Sequence, residues 1–103
     1  MKSLRTILLV EDDRVDAMTV KRAMKEINIT NPLEIARDGE DALAYLRDER
    51  NERPCIILLD LNMPKMNGIE FLNILKQDPV LKRIPVIVLT TSKKIRIESQ
   101  ALN

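Results

Sequence analysis

The chain contains no histidine and no tryptophan, a single cysteine, one tyrosine and one phenylalanine. Without histidine there is no imidazole general base, no histidine metal ligand, and no Ser–His or Cys–His nucleophile pair. One cysteine, Cys55, cannot close an internal disulfide, so a reducing compartment is expected. At the start of an apolar run, that thiol is expected to be packed rather than reactive. An excess of charge is missing too: 17 basic residues face 16 acidic ones, for a net charge of +1. Binding to nucleic acid or a membrane surface through bulk charge is therefore not expected. No apolar run approaches the 18 or more residues of a membrane span, and the amino terminus carries no signal-peptide pattern. These features imply a cytoplasmic protein. With aromatics at 2% but apolar residues at 45%, the 103 residues can build one aliphatic core, and residues 1–103 are read as a single domain.

What is present is a repeated grammar of short apolar runs that end in polar groups. Ile7 to Val10 runs into Glu11-Asp12-Asp13, Cys55 to Leu59 runs into Asp60, and Val86 to Leu89 runs into Thr90-Thr91-Ser92. A continuous apolar run bounded by turn signals suits a strand covered on both faces. A further strand is read over Leu33 to Ala36. Helical spacing fills the intervals. Ala17, Val20, Met24 and Ile27 follow Asp13 as N-cap, and Ala42, Leu43 and Leu46 follow Asp38-Gly39. After Gly68, the residues Ile69, Leu72 and Leu75 line one side of a third helix, with Phe71 flanking and Asn67 as cap. Asp78-Pro79 ends that helix, and Val80 to Pro85 reads as a linker. The tail from Lys93 to Asn103 supports either a strand or a helix, the latter preferred because the β-α order has held elsewhere. The alternation specifies an α/β domain with a parallel sheet and right-handed crossovers.

In such a sheet the carboxyl ends of all strands share one edge, where ligands bind. If the first and third strands are neighbours, Glu11, Asp12 and Asp60 converge, because adjacent strands lie ~4.8 Å apart. Clustered carboxylates are costly unless a cation offsets them or one keeps its proton. Oxygen donors without histidine or cysteine suit a hard ion such as Mg²⁺. A carboxylate beside Mg²⁺ can attack phosphorus and form an aspartyl phosphate. Each acid alone also has a plain reading as a helix cap or turn residue. Jointly that reading weakens, since independent caps need not share an edge.

Three segments resemble receiver domains of two-component response regulators: Leu8 to Asp12, Leu58 to Gly68, and Pro85 to Thr91. The wording of Leu61 to Lys65 and of Leu89 to Ser92 is similar to stand-alone receivers found beside phytochrome-type sensor kinases. The resemblance implies a flavodoxin-like doubly wound sheet, whose full strand order is 2-1-3-4-5. It implies a phosphoacceptor, Asp60, charged by a sensor histidine kinase, and Mg²⁺ held by Glu11, Asp12, Asp60 and the backbone carbonyl of Asn62. It further implies a switch hydroxyl at Thr90, a loop shaped by Met63, Pro64 and Gly68, and self-catalysed phosphorylation and dephosphorylation.

The match departs from the family pattern at its end. The family's fifth strand and helix, and the lysine at the end of that strand, have no counterpart before Asn103; Lys93 and Lys94 do not match that lysine. The expectation is therefore an abbreviated receiver with strand order 2-1-3-4 and no output domain. Its fourth strand would form an exposed edge able to pair in a homodimer or strand exchange, and its phosphorylation would be weakened. The alternative is a receiver-shaped interaction module that does not turn over phosphate. A free-standing aspartyl phosphohydrolase is disfavoured, since Asn62 stands where such enzymes carry a second acid.

Overall fold

The computed structural model describes residues 4–60 and 68–89. Their order is β1 (Ile7–Val10), α1 (Arg14–Glu26), β2 (Leu33–Ala36), α2 (Gly39–Arg47), β3 (Ile56–Asp60), α3 (Gly68–Gln77) and β4 (Val86–Leu89). All pairings are parallel, in the order β2-β1-β3-β4. This is the expected doubly wound topology, with β1 and β3 side by side.

Local chemistry sets the helix starts. Asp13 caps α1, its Oδ1 accepting from the backbone N–H of Val15 at 2.8 Å and of Asp16 at 3.2 Å. Asp38 caps α2 by accepting from Asp41 N–H at 2.8 Å. Each cap satisfies helix donors that would otherwise face only water. Asp78, read from the sequence as the end of α3, also begins the next turn, its Oδ1 accepting from Val80 and Leu81 N–H. The stretch read as a linker thus contains a 3₁₀ turn over Leu81–Arg83, whose Leu81 is buried.

Alternation along the strands divides the core. Leu8 and Val10 of β1, Ile57 and Leu59 of β3, and Val88 of β4 join Ala42, Leu43, Phe71, Leu72 and Leu75 in one buried cluster under α2 and α3. Leu9 faces the other way, where α1 contributes buried Ala17 and Met24. Among the described residues α1 is the only helix on that face. Leu58 and Leu89 are half-buried there, and with Val20, Met24 and Ile27 they line an apolar groove of about 210 Å³.

Three expectations need correction. The central strand is not closed on both faces among the described residues, since Ile56 and Leu58 retain exposure on the side α1 only partly covers. The inner side of α3 is formed by Phe71, Leu72 and Leu75, whereas Ile69 is 53% exposed. Phe71 lies one residue before Leu72 and four before Leu75, so a slightly rotated helix buries all three and turns Ile69 outward. Cys55 precedes β3 and is only partly buried, its Sγ 3.9 Å from the carbonyl oxygen of Arg5. The tail from Lys93 and the proposed cap Asn67 lie outside the described residues.

Phe71 has no exposed surface and is the largest fully buried side chain among the described residues. Phe71→Ala is expected to cost about 3–5 kcal/mol in equilibrium urea unfolding, and Ile69→Ala within about 0.5 kcal/mol.

Candidate functional site

The register of the sheet builds the site. Val10 pairs with Leu59, so one further step along each strand brings Glu11 beside Asp60. Glu11 N–H donates to the Ala36 carbonyl at 2.9 Å, extending the β1–β2 ladder one residue beyond the strand. Asp60 is the last residue of β3 and pairs with Leu89 of β4. Both acids are therefore fixed by backbone pairing on either side rather than carried on a free loop. Asp12 follows where β1 turns into α1 and is exposed, while Glu11 and Asp60 are 5% and 4% exposed.

One carboxylate oxygen from each of Glu11, Asp12 and Asp60 lies within 4.8 Å of the others. The electrostatics register the crowding. Glu11 is raised from the ordinary carboxylate range to about 8, first by burial, then by its hydrogen bond to Asp60 and the negative charge there. The Asp13 backbone N–H, donating to Glu11 Oε2 at 3.2 Å, opposes the shift without cancelling it. With no cation present, the cluster lowers its own repulsion by keeping a proton on Glu11, whose carboxyl donates to Asp60. A divalent ion is the alternative counter-charge. Three hard oxygen donors converging from two strand ends, with one donor open to solvent, fit a divalent cation that also keeps outer positions for water or a ligand.

Of the residues picked out by sequence, Glu11, Asp12 and Asp60 are brought together. Gly68 is buried at the first position of α3. Asn62, Met63, Pro64 and Thr90 lie outside the described residues. Two neighbours were not picked out. Arg14 and Arg37 line a groove that also contains Glu11 and Asp12. The signal for Arg37 was available, since it immediately follows a strand end.

The chain matches the family profile described as response regulator receiver domain over residues 7–103. It belongs to the response regulator receiver family. It is 50% identical over 92 residues to the response regulator Rcp1 of Synechocystis sp., a match covering 85% of this chain and 63% of Rcp1. The chain thus spans less than two thirds of that relative's length. The crystal structure of the Mn²⁺-bound form of Rcp1 superposes with a TM-score of 0.78 at 49% identity, covering 87% of this receiver and 68% of that chain. The phosphorylated cyanobacterial phytochrome response regulator RcpA superposes with a TM-score of 0.79 at 41% identity, covering 97% and 72%. The four-stranded order of this receiver and its α/β layering are those of the flavodoxin-like fold of the family.

The raised Glu11 gives a signed pH dependence. A carboxyl that holds its proton more tightly when folded stabilises the fold fully below the unfolded value of about 4.5 and loses that contribution as pH rises through about 8. In chelator, the urea midpoint is expected to fall between about pH 5.5 and pH 8.5, and Glu11→Gln, which keeps a donor toward Asp60 but does not titrate, is expected to flatten that fall.

Proposed function

We propose that residues 1–103 act as a phosphoacceptor receiver unit in which Asp60 takes a phosphoryl group from the phosphohistidine of a sensor histidine kinase. The observation that carries this reading is the convergence of Glu11, Asp12 and Asp60 within 4.8 Å at the carboxyl edge of a receiver-family sheet. An Asp60 carboxylate oxygen attacks phosphorus, an O–P bond forms, and the P–N bond of the donor breaks. Its electron pair leaves with the imidazole nitrogen, which takes up a proton from solvent. Burial and pairing of Asp60 at a strand end limit its orientations, so less entropy is lost on reaching the attacking geometry.

Glu11, Asp12 and Asp60, with the backbone carbonyl of Asn62, are the residues that would hold Mg²⁺. When bound, it supplies positive charge against the carboxylates and the oxygens of the transferring phosphoryl group. Its binding requires Glu11 to give up the proton that the empty cluster retains, so affinity is expected to rise with pH toward 8. Thr90 is assigned the switch hydroxyl that reports phosphorylation, and Met63, Pro64 and Gly68 the shaping of the adjoining loop. Because phosphohistidine is made from ATP, the setting of this exchange is the cytoplasm. Among the described residues no helix is long and apolar enough to cross a membrane.

The direct test is intact mass after incubation with acetyl phosphate and Mg²⁺. A phosphoryl adduct is expected, absent in Asp60→Asn and absent in chelator. No adduct under conditions where Mg²⁺ binding is measurable would reject the phosphoacceptor reading and leave a receiver-shaped binding module.

Self-association belongs to the same proposal. Among the described residues β4 has a strand neighbour on the β3 side alone, and its Leu89 borders the apolar groove against α1. An edge without a strand neighbour among the described residues, beside apolar surface, favours pairing with a second copy. Light scattering of this chain is expected to give a dimer mass at tens of micromolar (roughly the range of weak association), and a monomer there would count against it.

A further inference from the structure

Two members of the acid cluster, Glu11 and Asp12, also line a groove of about 460 Å³ between the start of α1, the end of β2 and the start of α2. Its walls carry Glu11, Asp12 and Asp41, and also Arg14 and Arg37. The fold sets both cations on the same groove as the acids. Arg14 is the first residue of α1, and Arg37 follows Ala36, whose carbonyl accepts from Glu11 N–H at 2.9 Å.

Helix stability does not account for either residue. Cations at or just before a helix start oppose the macrodipole, where acids are favoured. Internal ion pairing does not account for them either. Both side chains are exposed, and neither guanidinium takes a hydrogen bond or an ion pair among the described residues, where the one salt bridge joins Arg50 to Asp48. Asp41, which shares the groove wall with Arg37, is engaged by the backbone N–H of Arg37 at 3.0 Å. Two planar, five-donor cations thus stand with their donors uncommitted in a concavity that leads to a carboxylate cluster.

A dianionic phosphoryl group approaching Asp60 meets the negative field of three acids, so a source of positive potential on the approach path changes the encounter rate directly. We propose that Arg14 and Arg37 form an anion-receiving rim that draws the phosphoryl group of the donor into the groove and toward Asp60. The inference deepens the phosphoacceptor reading and rests on it for the fate of the phosphoryl group. The two arginines are positioning residues: they form no bond to the reacting atoms and act by orienting and concentrating the donor.

Inorganic phosphate titrated into ¹⁵N-labelled chain provides a test independent of turnover, read from the backbone amides of residues 14–18 and 35–41. Saturable shifts are expected in the parent, weakening as salt is raised. Binding about tenfold weaker is expected in the Arg14→Ala/Arg37→Ala chain, with recovery in Arg14→Lys/Arg37→Lys, since a rim charge acts mainly through its field. The rate of acetyl phosphate labelling should fall by a similar factor in the alanine chain and lose much of its salt dependence. Absence of shifts in the parent, or equal phosphate binding by parent and alanine chains, would overturn the rim. Phosphate binding that follows the arginines without any mass adduct would instead reject Asp60 as the acceptor while upholding the anion site.

Discussion

Everything distinctive in this receiver follows from holding three carboxylates at one edge of a parallel sheet. Parallel pairing leaves no freedom in the matter: once Val10 pairs with Leu59, Glu11 and Asp60 must emerge side by side. Folding therefore brings like charges together, and the apolar contacts beneath them must supply the difference. Leu8, Val10, Ile57 and Leu59 lie directly under the acids, with no exposed surface on any of them. The residues that position the site and those that stabilise the sheet are consecutive in sequence. A substitution in the last residues of either strand would thus disturb both at once.

Among the described residues the two faces of the sheet are covered unequally. Under α2 and α3 the core is continuous from β1 to β4, and it includes Phe71, Leu81 and Ile84. On the α1 face the buried contributions are narrower, and Leu58 and Leu89 remain accessible beside α1.

The strands and the acid cluster were legible because their physics is local or nearly so. Apolar runs ending in acids mark strands, and three acids at strand ends need only the order of the strands to become neighbours. Asp13 was readable as a cap, and Asp38-Gly39 as a helix start, because a short acceptor at that position has one strong local use. What depended on rotation about a helix axis was not readable. Phe71 and Ile69 are both large and apolar, two residues apart, and only packing against α2 and the sheet selects Phe71 for the interior. Cys55 was misplaced for a similar reason: the apolar run is longer than the strand, which begins at Ile56. The turn at Leu81–Arg83 was hidden within a segment whose proline and polar residues suggested an irregular link, although Asp78 already held its first two donors. Arg14 and Arg37 were passed over because charge in a sequence reads as solvated surface until the fold shows which charges share a concavity.

The balance of charge around the groove bears on how such a site can function at all. A cluster acidic enough to hold a divalent cation repels the phosphoryl dianion it must accept, since the negative charge of its carboxylates acts on anything negative that approaches. Protonation relieves that repulsion only by blocking the carboxylates that are needed. Fixed cations set back from the acids resolve the conflict differently. Placed too close, a guanidinium would form a salt bridge with Glu11 or Asp12 and replace the cation; placed too far, its field would be screened within a Debye length of roughly 8 Å. Arg14 and Arg37 share the groove with Glu11, Asp12 and Asp41 and form no ion pair with any of them. Repulsion at the acids and attraction at the rim then act on different steps, the first favouring cation binding and the second favouring arrival of the donor. The strands that hold the acids in register also set the spacing between the two fields, so the parallel sheet determines the electrostatics of the site as well as its shape.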